Sequence, residues 1–152
     1  MQINIFTIAK KDAQVSAIIE GLCVQCRQFG AQVRVSESFP PAVQKAHKIS
    51  PSHAQASYTQ AFTPHLLPNA QNIALHPSGK SVDSESFAKL FETHAIVQFF
   101  IGGAYGFEEG FLKLCKSISL SPLTLSHKIA QIVLCEQIYR ALSILNAHPY
   151  HK

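Results

Sequence analysis

Apolar positions along the chain change their period several times, and each change marks an element. Ile3, Ile5 and the run to Ile8 read as a strand. Asp12 is a candidate N-cap, after which Val15, Ile18, Ile19, Leu22, Cys26 and Phe29 recur at helical spacing until Gly30. A second strand over residues 32–36 completes a β-α-β opening. Pro40 and Pro41 interrupt the pattern. Residues 42–68 are rich in Ala, Gln, His, Ser and Pro, with room for short helices over 42–48 and 54–62. Regularity returns with a strand over 71–75, a turn over 76–80, and a helix from Asp83 or Ser84 to Glu92. Residues 96–101 are an almost continuous apolar run, the pattern of a parallel strand covered on both faces. A helix over 107–116, a short strand over 117–120, a loop over 121–126 and a long helix over 127–146 follow, with a tail over 147–152.

Strands alternating with helices predict an α/β fold, an open and mostly parallel sheet flanked by helices. The 152 residues suit one domain spanning 1–152 and show no internal repeat. In such sheets ligands sit beyond the carboxyl ends of the strands. Three segments leave strand ends here: residues 75–80, 102–106 and 121–126. They define the expected site.

Composition narrows the classes. Charged residues are only 14% of the chain against 47% hydrophobic. That balance excludes intrinsic disorder and leans toward a surface partly hidden in an oligomer. No apolar run reaches the ~18 residues of a membrane span. The first residues lack the basic region and long apolar stretch of a secretory signal, so the expected location is the cytoplasm. Thirteen Lys and Arg against nine Asp and Glu leave a net charge of +4. Between Ser38 and Val82 there is no acidic residue, while Lys45, Lys48, Lys80, His47, His53, His65 and His76 all fall there. That stretch reads either as a connecting segment of low charge or as a surface for an anion such as RNA.

The candidate chemistry is sparse. Cys23 and Cys26 form a single C-x-x-C pair late in a helical pattern, and Cys115 and Cys135 have no partner spacing. Reduced, buried thiols are the expected state, ahead of a small zinc or redox site. Two tail histidines, His148 and His151, lack the further ligands a metal needs, so no metal is expected. Gly102, Gly103 and Gly106 match neither the dinucleotide fingerprint nor a P-loop, and serve equally as a tight turn or a cofactor loop. Glu136 and Arg140 are spaced for an i,i+4 ion pair. That pair either steadies the helix or aims a guanidinium at a phosphate or carboxylate.

Four ordered segments carry a resemblance. They are residues 75–80 with 84–88; Phe100 to Gly103 with Gly106; residues 119–127; and residues 136–141 with the tail 148–152. Together they resemble the RlmH family, SPOUT-class methyltransferases that modify N3 of a pseudouridine in 23S ribosomal RNA. The resemblance covers roughly the second half of the chain. It implies a SPOUT fold with a deep C-terminal trefoil knot, which connectivity rules alone would not propose. It also implies a homodimer with a shared active site, S-adenosylmethionine as methyl donor, and the assembled ribosome as target, with neither DNA nor a membrane as partner.

The donor-binding residues implied are Leu75, Gly103, Ser121, Pro122, Leu123, Thr124, Leu125 and Ser126. The chemistry requires the acceptor nitrogen to be placed behind the methyl carbon and its proton to be removed. Arg140, His127, Tyr150 and His151 occupy the matching catalytic positions, with Arg140 favoured for orientation or charge stabilisation. The chain departs from the family pattern at Ala104, Ser126 and Gln131. A binding protein of the same fold without this activity, or an enzyme for another RNA, is the alternative.

Overall fold

The computed structural model describes all residues, 1–152. Five strands form one sheet: β1 (Gln2–Ile8), β2 (Gln32–Ser38), β3 (Gln71–Ser81), β4 (Ile96–Ile101) and β5 (Lys116–Ser119). Their spatial order is β2-β1-β4-β3-β5, and every neighbouring pair is parallel. Six helices cover it: α1 (Ala13–Cys26), α2 (Pro41–His47), α3 (Pro51–Phe62), α4 (Ser84–Ala88), α5 (Glu109–Leu112) and α6 (His127–Leu145).

Side-chain alternation divides the core between the two faces. Ile3 and Ile5 of β1, Ile73 of β3, Val97, Phe99 and Ile101 of β4, and Ile118 of β5 point to one face. There they pack with α1, α4 and α6. Ile8, Ala74 and Phe100 point to the other and pack with Val43, Ala54, Tyr58, Phe62, Phe107 and Phe111. The segment 42–68 is therefore a helical layer over one sheet face. Its helices are capped as the sequence allows: Pro41 opens α2, and Ser50 accepts from the His53 N–H at the start of α3.

Three expectations need correction. The helix expected over 107–116 shrinks to one turn, Glu109–Leu112. Gly110 weakens it, Phe107 stacks on Phe111 to anchor the segment in the core, and Lys116 already pairs with Ile73. The helix expected to reach Glu92 is α-helical only to Ala88 and closes as a 3-10 turn over Lys89–Phe91. The turn over 76–80 does not end β3. Leu75 and Lys80 both register with Ile118, so the intervening residues bulge out and the strand resumes. A Cβ on Gly79 would lie 2.6–2.8 Å from the Ile118 backbone, so only glycine fits that crossing.

Asp12 caps α1 through the amides of Gln14 and Val15 and also binds Lys128 Nζ at 2.6 Å. That contact ties the start of α1 to the start of α6. Within α6, Gln131 is 1% exposed, and neither its amide nitrogen nor its oxygen has a partner.

Candidate active site

Because β3 lies between β4 and β5, the carboxyl ends of three adjacent strands converge. Leu75 pairs with Ile101 on one side and Ile118 on the other. The loops leaving these strands wall a cleft of about 520 Å³. Leu75, His76 and Pro77 come from β3, and Gly102 and Gly103 from the loop after β4. Ser121, Leu123, Thr124, Leu125 and Ser126 come from the loop after β5, and His127 and Ala130 from the start of α6. The volume is that of a small-molecule site. Pro122 is the one residue of the expected donor set that does not face it.

The cleft contains no Lys, Arg, Asp or Glu; its titratable groups are His76 and His127. Hydroxyls and backbone supply the polarity. The loop after β5 is held by Ser119 Oγ, which donates to Ser121 O at 2.9 Å. Ser121 Oγ accepts from the Leu123 N–H at 3.0 Å. Ser126 Oγ accepts from the Ile129 N–H and caps α6.

The glycine loop rests on the helical layer of α2 and α3, close to the two short helices expected there. A Cβ on Gly103 would lie 2.6 Å from the Tyr58 hydroxyl oxygen and 3.1 Å from Ile8. Tyr58 is fully buried, its hydroxyl hydrogen-bonds His47 Nε2, and burial raises its pKa, so the phenol stays protonated. Gln55 Nε2 donates to Tyr105 O at 2.7 Å, and Gly106 N–H closes a turn onto Gly103 O. Sequence pattern assigns Tyr58, His47 and Gln55 no place in the site. Their only signal is helical spacing in an acid-free stretch.

The remaining expected residues form a second cluster. Glu136 Oε1 accepts from Arg140 Nη2 at 2.7 Å, Arg140 Nε at 3.1 Å and the Tyr150 hydroxyl at 3.0 Å. Glu136 Oε2 accepts from Gln137 Nε2, and Gln137 Oε1 accepts from Ser84 Oγ. The guanidinium lies 4.8 Å from the centre of the Tyr150 ring, and its Nη1 is 3.5 Å from His151 Nδ1. The bond to Glu136 raises the pKa of Arg140 and, as the largest cause, that of Tyr150. Tyr150 is thus a hydrogen-bond donor near neutral pH. Glu136, read from sequence only as a helix partner, is the hub of this cluster.

The two groups stand apart within one chain. His127 and Arg140 are thirteen positions apart on α6, roughly 20 Å along the helix axis. The structure brings His127 to the cleft, and Arg140, Tyr150 and His151 to each other.

A family model described as "Predicted SPOUT methyltransferase" matches residues 1–151. The chain belongs to the SPOUT methyltransferase family. The ribosomal RNA large subunit methyltransferase H of Helicobacter hepaticus is 62% identical to this SPOUT chain over the full length of both. The proteins of that name from two Helicobacter pylori strains are also similar. One is 56% identical over 84% of this chain and 85% of its own, the other 48% identical over the full length of both.

The cysteines take no part in the site. All four are free thiols; burial lifts Cys26 to about 12 and Cys115 to about 11. No three His, Cys, Asp or Glu side chains gather as a metal site, and no helix is long and apolar enough to cross a membrane.

Proposed function

We propose that this SPOUT enzyme transfers a methyl group from S-adenosylmethionine to N3 of a pseudouridine in 23S ribosomal RNA, acting on assembled ribosomes in the cytoplasm. The observation that carries the reading is the uncharged cleft at the ends of β3, β4 and β5, in a chain 62% identical to a large-subunit methyltransferase. The lining fits the donor. A sulfonium beside Lys or Arg would be repelled, and the cleft has neither; its hydroxyls and backbone groups suit a nucleoside and an amino-acid moiety. Leu75, Gly103, Ser121, Leu123, Thr124, Leu125 and Ser126 hold it, and Pro122 stiffens the loop from outside. Bound there, the donor supplies an activated methyl group.

The chain's own residues supply position and proton control. His127 stands at the cleft where the acceptor must arrive. Arg140, fixed by Glu136, offers Nη1 to stabilise a deprotonated imide, and Tyr150 donates to the same substrate region. His151 lines it. With the two groups roughly 20 Å apart in one chain, the cleft of one protomer and the tail cluster of its partner form each site in a homodimer. Support for the interface is apolar surface on α1 and α6, including Ile18, 52% exposed, and Ile129, 48% exposed. The reading includes the trefoil knot, supported by the close crossing of Gly79 over Ile118.

The test is methyl transfer from labelled S-adenosylmethionine to ribosomes with and without the pseudouridine. Labelling confined to pseudouridine-bearing ribosomes is expected. Equal labelling of both refutes the specificity. No labelling, with the donor bound, supports a binding protein of the same fold.

A further inference from the structure

A second groove, about 380 Å³, opens beside the cleft and shares Gly103, Ala104 and His127 with it. Its other walls come from the end of β1, the end of β2, α2 and the start of α6. Lys10, Lys11 and Lys128 line it with Phe39, His47 and His127, and no carboxylate does. Two acids stand near. Asp12 is taken up by Lys128 at 2.6 Å, which with the α1 amides holds its carboxyl below the usual range. Glu37 is half-buried; burial raises its pKa while Lys11, His127 and Lys128 act the other way, so this one carboxylate faces the three cations from outside the lining. Lys10 and Lys11 are exposed and make no ion pair. Lys10 Nζ lies 5.4 Å from the centre of the Phe39 ring, an arrangement that holds the ammonium at the groove. The amino ends of α1 and α6 both reach this region, and neither helix carries an acid in its first turn.

We infer that this groove is the seat of the RNA strand next to the methylated nucleoside, with Lys10 and Lys11 on its phosphodiesters and Phe39 and His47 offering aromatic surface to a neighbouring base. Three features carry it: two exposed ammonium groups that make no ion pair, aromatic rings between them and the helical layer, and a rim shared with the cleft. The shared rim matters most. A nucleoside reaching the cleft past His127 has its flanking phosphates over Lys10 and Lys11. His47 also bonds Tyr58, which lies beneath Gly103, so the groove and the glycine loop rest on one support. The inference rests on the RNA methyltransferase reading and gives that enzyme a place for its substrate strand.

The test is steady-state methyl transfer to ribosomes across a salt series. It compares the full-length wild type, the Lys10→Ala/Lys11→Ala variant, and a matched Lys113→Ala/Lys116→Ala variant at the opposite end of the sheet. The groove variant is expected to raise KM for ribosomes on the order of tenfold, with kcat affected far less. It should also reduce the slope of log(kcat/KM) against log salt by about two, one for each phosphodiester that no longer meets a lysine. The matched variant should behave as wild type, and calorimetric affinity for S-adenosylmethionine should be equal in all three. An active wild type with KM and salt slope unchanged in the groove variant overturns the groove alone. An equal effect of the matched variant also overturns it, because net charge then explains the loss. A wild type that transfers no methyl overturns the enzyme reading, and the groove with it.

Discussion

Gly103 is the residue on which the cleft and the helical layer meet. Its missing Cβ leaves room for the Tyr58 hydroxyl, and Tyr58 is too enclosed to move aside. Gly103→Ala is therefore an overpacking change, costing about 1–3 kcal/mol. Because the loop has solvent on its other side, it should yield toward the cleft. The expected result is at least a tenfold loss of S-adenosylmethionine affinity by calorimetry. Tyr58→Phe removes the nearest clashing atom, so the double variant should recover part of that loss; strictly additive losses would contradict the contact. Sequence reasoning reaches Gly103 through its place on a strand-end loop and through the family resemblance, since its glycine spacing alone serves equally as a tight turn. It does not reach Tyr58, since a tyrosine in an amphipathic stretch is indistinguishable from ordinary core until the fold sets it under the loop. Glu136 is half legible. Its spacing from Arg140 is visible, while the arrival of Tyr150 fourteen residues later is not.

Among the helices and strands, caps and strand ends are the readable features. Asp12 is recognisable as a cap, and α1 begins after it, as α6 begins after Ser126. Two of the misreadings have a common cause. The helix over 107–116 and the turn over 76–80 follow from local pattern, and both are overruled by pairing along β3 and β5. Cross-strand register is a long-range property that no window of sequence contains. The Asp12–Lys128 contact is another long-range tie, and it has a pH signature. The folded pKa of Asp12 lies below its ordinary 3.8, from the hydrogen bond to Lys128 first and the Val15 amide second. Its stabilising contribution is thus complete above that ordinary value and is lost as pH falls through the lower folded one. Thermal unfolding should show the wild-type advantage over Asp12→Asn shrinking between about pH 5 and pH 2. Curves that stay parallel through that range would mean the carboxylate is not what joins the two helices.

For the whole molecule, low charge and small size take on a definite meaning. A chain with 14% charged residues gives its cleft an uncharged lining and leaves apolar residues on the outer faces of α1 and α6. In the proposed function the separation of His127 from the Arg140 cluster makes that surface an interface, because there neither group completes a site without the other. Complementation between two variants puts this shared site to the test. Arg140→Ala should keep the fold and donor binding while losing turnover, and Gly103→Val should lose donor binding while keeping its own Arg140 cluster. Coexpressed in equal amounts, the two form mixed dimers in which one site carries both lesions and the other carries none. A shared site predicts that two nearly inactive variants recover about a quarter of wild-type methyl transfer when mixed. A mixture no more active than the sum of its parts, with mixed dimers shown to be present, would contradict a site built from two chains.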